Sequence, residues 1–456
     1  VELSEVRTDC TDEYLAQSGD TVTLIAEARN RTAFEVAEGT CLDNPDLIVT
    51  GETIFLPPLP EVIVSAAPIS ATPVATTITM VNGSGQSMLV TGTFAVPLIA
   101  EVRDQFGAVM ANIPVTFSFA GTGSSAEFPL LGASTVVNTN ASGLATSPAF
   151  NANTIAGIHN ASATCSGCNM VTYALTNEAG AVATLVLLDG DNQGVETNYE
   201  FLDNLQVRAE DSFGNPVAGA SVQFDAPTFG ASGYFTGPTI TTSVVADASG
   251  IATATAFYAG CTVGAPYDVI ATSGVANVTI PNLQNNPLPG VTSNLDSGAG
   301  TLRDVVDHAC PGATVSIPLM SIQLASSIVI DQNITLQGQP YPDSVIDGQG
   351  ITRHFDIAAG STVTINDLVM LNGLGASGGS IENAGNLNLD NVVIKLNIAN
   401  PGNGAGIHNA GTLNISNSTI RNNNAPSGIG GGIYNTPGAT TVTITDSCIM
   451  GNSDSN

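Results

Sequence analysis

Glu101-Val-Arg-Asp104-Gln-Phe106-Gly107, followed by Ile113-Pro-Val115-Thr-Phe117, returns later in the chain as Ala209-Glu-Asp211-Ser-Phe213-Gly214 followed by Ala220-Ser-Val222-Gln-Phe224. The separations 211 − 104, 214 − 107 and 224 − 117 are all 107. Thr77, Gln86, Leu98 and Gly143 have twins at Thr184, Gln193, Leu205 and Gly250 at the same offset. This reads as an insertion-free duplication, two copies of one domain in series. Leu98, Ala100, Val102 and Leu205, Val207, Ala209 alternate with polar neighbours, as do Val115, Phe117, Phe119 and Val222, Phe224, Ala226. Period-two alternation marks half-buried strands. Turn signals fall between the runs at Asn140-Ala-Ser-Gly143, Asp211-Ser-Phe-Gly-Asn215-Pro216 and Asp247-Ala-Ser-Gly250. Short strands with turns at this spacing predict an antiparallel sandwich for each copy.

The run Asp211-Ser-Phe-Gly-Asn215-Pro-Val-Ala-Gly-Ala-Ser-Val222-Gln-Phe224 resembles bacterial Ig-like (Big) domains of the invasin/intimin type. The first copy departs from that pattern, with Ala108-Val-Met where the second has Asn215-Pro-Val. The resemblance implies the stalk of a bacterial surface adhesin, without the outer-membrane barrel that accompanies it in that family.

A second period governs the end of the chain. Gly378-Gly-Ser-Ile381-Glu-Asn383 recurs as Gly404-Ala-Gly-Ile407-His-Asn409 and as Gly430-Gly-Gly-Ile433-Tyr-Asn435, a step of 26 both times. Asn386-Leu-Asn-Leu, Thr412-Leu-Asn-Ile and Thr441-Val-Thr-Ile lie between, and an aliphatic-x-x-Asn ending repeats at Asn372, Asn397, Asn423 and Asn452. Short strands, corner Gly and Asn, and a near-constant coil length predict a parallel β-helix with aliphatic side chains in the bore and Asn stacked at the turns. The pattern resembles right-handed β-helix surface proteins with polymorphic outer-membrane repeats, although Ile or Val stands where that family's second half-motif has Phe. Thr301-Leu-Arg-Asp-Val-Val-Asp-His-Ala309 reads as an amphipathic helix capping the N-terminal end of the coil, whose edges would otherwise invite pairing. Nothing comparable covers the other end, so either the native protein continues there or the last coil docks on a neighbour, and a head-to-tail contact would give a filament.

The start of the chain differs. Tyr14-Leu-Ala-Gln-Ser18-Gly-Asp20-Thr21 reads as a strand and turn, Val22 to Arg29 as a helix, Thr32-Ala-Phe-Glu35 as a capping box opening a second helix, and Thr53-Ile-Phe-Leu56 as a strand. With Ser-Gly-Asp-Thr, Asn-Pro-Asp-Leu-Ile and Gly-Glu-Thr-Ile-Phe-Leu-Pro, this stretch resembles a LysM domain. The resemblance implies binding of N-acetylglucosamine glycans such as peptidoglycan or chitin, in a groove formed by Gly19, Asp20, Thr21, Asn44, Asp46, Leu47 and Ile48. The prolines after Leu56 predict a stiff linker containing one strand-like run, Glu61-Val-Ile-Val-Ser65.

Of seven cysteines, Cys10 and Cys41 bracket the head and are the first disulfide candidate. Cys165-Ser-Gly-Cys168 sits between strand-like runs, where it could close a small ring; a redox role would need a thioredoxin-like context. No His cluster joins them, so no zinc site is expected. The odd count leaves one thiol buried, free or paired with another chain.

Nine Lys and Arg against 39 Asp and Glu give a net charge of −30, which disfavours nucleic acid and anionic membranes. The acidity allows calcium binding without specifying a site; no other cofactor is expected. No run of eighteen apolar residues predicts a membrane span, and no signal peptide opens the chain, so a secreted protein here has already lost its leader. A polysaccharide lyase or hydrolase needs a base or paired carboxylates in one cleft. Lys395, Arg353 and Arg421 are dispersed, Asp343, Asp347, Asp356, Asp367, Asp390 and Asp446 do not share one coil position, and His354 and His408 look isolated.

The expected architecture is mainly β: a LysM-like head (1–58), a Pro-rich linker (59–74), Ig-like domains at 75–180 and 181–285, and a parallel β-helix at 286–456. The expected role is a non-enzymatic, secreted cell-surface structural protein that polymerises with itself or forms an adhesin stalk. The alternatives are a cell-wall glycan-binding protein anchored by its head, and a β-helix polysaccharide-degrading enzyme.

Overall fold

The computed structural model describes residues 12–29, 32–33, 36, 48–56, 72–340 and 343–455. It divides into two units, Val1–Pro73 and Val74–Asn456. The fold is mainly β and multidomain, with two Ig-like sandwiches and a C-terminal β-solenoid.

In the first unit, the strand Asp12–Leu15 pairs antiparallel with Thr53–Leu56 and the helix Val22–Ala28 follows the intervening turn. Thr21 caps that helix, its Oγ1 accepting from Leu24 N–H at 3.2 Å. The expected second helix is described only at Ala33 and Val36; Val36 N–H donates to Thr32 O, as one helical turn requires. Val22, Ile25, Ala26, Val36 and Ile54 form the small core.

The two sandwiches repeat each other closely. Each has a five-stranded sheet facing a three-stranded one: Ala75–Asn82, Ile99–Asp104 and Leu144–Thr146 form the smaller sheet of the first, and Thr184–Asp189, Gln206–Glu210 and Ile251–Thr253 that of the second. In both, one edge pair of the larger sheet is parallel, Gln86–Leu89 on Met170–Glu178 and Gly194–Glu196 on Ala276–Asn286, so the sandwiches are not purely antiparallel. The twin glutamines do the same work. Gln86 bonds Gly83 O, Val96 O and Val96 N–H; Gln193 bonds Gly190 O, Asp203 O and Asp203 N–H. Each amide staples a loop whose backbone groups would otherwise be unpaired. The duplication is not free of insertions. Phe117 pairs with Ala163 but Phe224 with Ala271, so the offset grows from 107 to 108 before the last hairpin.

This alignment makes His159 the counterpart of Tyr267, and Asn177 that of Asn285. Both asparagines spend their Nδ2 on three acceptors. Asn285 Oδ1 accepts from the Tyr267 hydroxyl at 3.0 Å. Asn177 Oδ1 and His159 Nε2 are buried without a hydrogen-bond partner in the protein. Ser124 Oγ gives its hydrogen to Gly157 O, so it accepts from His159 Nδ1–H and leaves Nε2 a bare acceptor. Burial holds the imidazole below its ordinary value of 6.5. A depressed folded-state value means that this site's contribution is full above about pH 6.5 and falls as the pH drops towards the depressed value. His159→Tyr is expected to raise the first sandwich's stability by about 1 kcal/mol, by supplying Asn177 with a donor, and to remove that acid sensitivity. Thermal melts at pH 7.5 and pH 5 read both effects.

From Ala313 onward the chain coils into stacked rungs. Three parallel sheets, of six, six and five strands, run along the solenoid, with a fourth of four short strands at one corner. Columns of bore residues follow from the register: Val363, Leu387, Leu413 and Val442; Ile365, Leu389, Ile415 and Ile444; Met370, Ile394, Ile420 and Ile449; Phe355, Ile381, Ile407 and Ile433. The step of 26 holds on the sheet carrying Ile381, Ile407 and Ile433, whereas the column from Val363 steps by 24, 26 and 29. Loops at the corners absorb the difference.

From Asp367 onward three corners recur in the left-handed region, which explains the repeating Gly and Asn. Gly378, Gly404 and Gly430 have φ of 61°, 67° and 71°, and a Cβ on any of them would lie 2.3–2.6 Å from a backbone oxygen. Asp367, Asn391, Asn417 and Asp446 occupy the second corner, and Asn372, Leu396, Asn422 and Gly451 the third, all at φ between 46° and 61°. Asn and Asp tolerate this region better than other side chains.

Two buried ladders hold the rungs in register. Asn383 Nδ2 donates to Asn409 Oδ1, and Asn409 Nδ2 to Asn435 Oδ1. Asn397 donates through both its backbone N–H and Nδ2 to Asn423 Oδ1, and Asn423 likewise to Asn452 Oδ1. Asn372 is not the first member of this second ladder. It stands in the left-handed corner one residue earlier, and Gly373 takes the ladder position, its N–H donating to Asn397 Oδ1.

The helix Leu302–His308, N-capped by Thr301, buries Leu302, Val305 and Val306 in the solenoid core and closes its first rungs. At the other end, Val442, Ile444 and Ile449 stand 37%, 42% and 43% exposed, although their column neighbours Leu413, Ile415 and Ile420 are buried. Among the described residues, nothing stacks on that outer rung.

Candidate functional site

The expected glycan groove is described at four of its seven positions. Asp20 Oδ2 accepts from the Tyr14 hydroxyl at 2.9 Å and Gln17 N–H at 2.7 Å. Thr21 is the helix cap, Gly19 sits at φ 102°, and Ile48 is half-buried against the small core. Asp20 and Thr21 are therefore engaged in forming the turn. Asn44, Asp46 and Leu47 lie outside the described residues, as do Cys10 and Cys41 and the strand-like run at 61–65.

Several of the groups weighed for catalysis have structural partners. His354 is fully buried and not isolated: its Nε2–H donates to Leu371 O and its Nδ1 accepts from the Ser380 hydroxyl, while burial lowers its pKa to about 4. His408 is not isolated. Its Nδ1 meets Glu382 Oε1 at 2.6 Å and its ring stacks on Tyr434. Arg353 bridges Asp356 and Glu382 at 2.9 and 3.1 Å, so an outward column of Asp356, Glu382, His408 and Tyr434 is tied together. Lys395 and Arg421, apart in sequence, face outward on adjacent rungs. Asp367 and Asp446 do share one coil position, the second left-handed corner, but Asn391 and Asn417 stand between them. Hydrogen bonds from Ser416 and Asn417 hold the Asp390 carboxyl below its usual range. Among the described residues, no group of three or more His, Cys, Asp or Glu could hold a metal ion, and no helix is long and apolar enough to cross a membrane.

The more informative chemistry lies where domains meet. Asn215 carries the joint between the sandwiches. Its Oδ1 accepts from Ala156 N–H at 2.9 Å and its Nδ2 donates to Thr154 O at 2.8 Å, both on the first sandwich. Asp211 braces it: Oδ1 accepts from the N–H groups of Phe213 and Asn215, and Oδ2 from Gly180 N–H in the connector. Burial alone would raise the Asp211 pKa, but these hydrogen bonds and that from the Asn215 amide outweigh it and hold the carboxyl low. In the first sandwich Asp104 makes the same turn, bonding Phe106 and Ala108 N–H, but Ala108 offers no amide. The divergence between Asn215-Pro-Val and Ala108-Val-Met is thus the mark of a joint.

The second joint is covalent. Cys261 of the second sandwich is bonded to Cys310, two residues beyond the capping helix. Beside it the Tyr199 ring lies on the His308 ring, centroids 3.8 Å apart and planes 11° apart, and the Tyr199 hydroxyl donates to Asp304 Oδ2 at 3.1 Å. Burial first, and the Asp304 carboxylate next, raise the Tyr199 pKa, which keeps the phenol a donor. The last strand of this sandwich ends at Asn286, and Leu288 and Val291 already pack in the solenoid core. Sequence reading missed this pair, because cysteines 49 residues apart in different domains carry no spacing signal. Cys165 and Cys168 are joined across the hairpin turn between Gly157–Cys165 and Met170–Glu178, and Cys448 is a free, exposed thiol on the outermost rung.

No protein-family model matches the chain, and neither does any curated protein. Solved structures do resemble it. The Escherichia coli adhesin FdeC aligns at 18% identity over 49% of this chain and 67% of its own, with a TM-score of 0.33. The Yersinia pseudotuberculosis adhesin InvE aligns at 16% over 45% of this chain and 58% of its own, with a TM-score of 0.24. Domains 1–6 of the surface layer protein SbsC align at 15% over 47% and 29%, also at 0.24.

Proposed function

We propose that this chain is a secreted, non-enzymatic structural protein of a cell surface, working as a stiff module of a fibre, layer or adhesin stalk. The observation that carries the reading is that both domain joints after Val74 are pinned by dedicated side chains, with connectors too short to swing freely. An amide clasp at one joint and a disulfide with a stacked Tyr–His pair at the next suit a module that must hold distance under load.

The outer rung, with Val442, Ile444 and Ile449, is where a further rung, of this chain or of another copy, would stack, and self-association is the form this reading takes for the chain as given. The capping helix excludes the first rung as the receiving surface, so a head-to-tail contact has to use another face of the partner copy. Sedimentation velocity over a range of concentrations, followed by electron microscopy, tests this. Self-association that Val442→Lys or Ile449→Asp abolishes supports the reading. A monomer at every concentration, or turnover of a sugar polymer, contradicts it.

A second reading is a glycan anchor in the head. It is supported by the strand–turn–capped helix–strand frame, which is consistent with a LysM-like module. Co-sedimentation with insoluble peptidoglycan or chitin tests it.

A further inference from the structure

One corner of the solenoid breaks the rule that the others keep. At the third left-handed corner, successive rungs place Asn372, Leu396, Asn422 and Gly451. Asn and Gly suit φ near +60°, but Leu does not, since its Cβ crowds the backbone there. Leu396 adopts φ 59° and is still 51% exposed, so no packing repays the strain. Ile398, two residues on, is 39% exposed. Strain without a packing reward is a mark of a functional position.

Leu396 and Ile398 form one wall of a cleft of about 480 Å3 whose other side groups are Gln323, Asp347, Gln349 and Asn372. Some of their polar atoms have structural partners. Asp347 Oδ1 accepts from Gln349 N–H and Asn372 Nδ2, and Gln349 Nε2 donates to Leu324 O. Among the described residues, the Gln323 amide, Asp347 Oδ2, Asn372 Oδ1 and Gln349 Oε1 make no hydrogen bond, so they remain free to pair with a ligand. Gln323 and Asp347 stand on adjacent rungs, about 4.8 Å apart along the axis.

We propose that this cleft binds an uncharged saccharide. Amide groups offer donors and acceptors together, which is what sugar hydroxyls need, and a lone carboxylate oxygen accepts from two of them. The apolar wall receives the C–H face of a pyranose ring. No Lys or Arg lines the cleft, so it offers nothing to a phosphate or uronate, and Asp347 repels both. One carboxylate is too little charge for a calcium site. The cleft lies on the solenoid and is independent of self-assembly.

The test uses the full chain, with maltotetraose, cellotetraose and tetra-N-acetylchitotetraose as probes and tetragalacturonate as the anionic control. Saturation-transfer NMR and calorimetry read binding. Leu396→Asn gives the corner the residue found on both neighbouring rungs, so the fold survives and the melting temperature holds or rises. At least one neutral tetrasaccharide is expected to bind the native chain and to lose about tenfold or more in affinity to Leu396→Asn. Binding in the head persists in that variant and is separated by it. The proposal is overturned if no neutral probe binds, if Leu396→Asn leaves every neutral probe's affinity unchanged, or if tetragalacturonate binds in a Leu396-dependent way.

Discussion

Asn423→Ala is expected to lower the stability of the solenoid by roughly 3–5 kcal/mol, more than any single change on its outer surface. The side chain is fully buried between rungs. Its Oδ1 accepts two donors from Asn397, at 3.0 and 2.9 Å, and its Nδ2 serves Asn452 Oδ1 and Ile394 O. Truncation takes a partner from four groups at once; Asn397 N–H, Asn397 Nδ2 and Ile394 O are buried and carry a desolvation cost, while Asn452 Oδ1 is half-exposed and keeps the Asn423 N–H. Asn414 is the control. It also bonds an Asn on the adjacent rung, donating to Asn388 Oδ1 at 2.9 Å, but on the outer face, where water replaces the lost partner. Asn414→Ala should cost within about 0.5 kcal/mol. Calorimetry of both variants checks the contrast; equal effects would show that the buried ladder does not hold the coil.

Removal of the joint disulfide by Cys261→Ser with Cys310→Ser has the second-largest expected effect. The bridge spans 49 residues, and closing a loop of that size is worth about 2–4 kcal/mol against the unfolded chain. The native consequence matters more. With the bridge gone, the stack of Tyr199 on His308 and the bond to Asp304 still hold the second sandwich to the capping helix. Adding Tyr199→Ala should free the solenoid to move against the sandwich while both keep their own cores. Limited proteolysis around residues 286–300 reads this directly: slow cleavage in the native chain, faster in the double variant and fastest in the triple.

The strands, the duplication and the solenoid could be read from sequence because each rests on short-range periodicity. Alternation marks Val115, Phe117 and Phe119, and the 26-residue step marks Ile381, Ile407 and Ile433. Partnerships across domains leave no such trace. Asn215 looked like part of a turn motif, and only the fold shows its amide reaching Thr154 and Ala156. Cys261 and Cys310 looked unrelated. Asn372 fitted the aliphatic-x-x-Asn ending by sequence, yet a corner one residue out of phase put Gly373 in the ladder instead. His408 seemed isolated because its partner Glu382 lies 26 residues away, one rung of the coil. In a solenoid the chemistry of a face is written at the coil period, and pairs are found only once the register is known.

The central claim is that residues 74–456 behave as one stiff body. Pulsed dipolar EPR between spin labels placed at Ser134, on the first sandwich, and Val329, on the solenoid, using genetically encoded label sites to leave every cysteine native, measures it across both joints. Both positions are exposed. Pinned joints give a single narrow distance distribution in the native chain. A broad or multimodal distribution there would contradict the account.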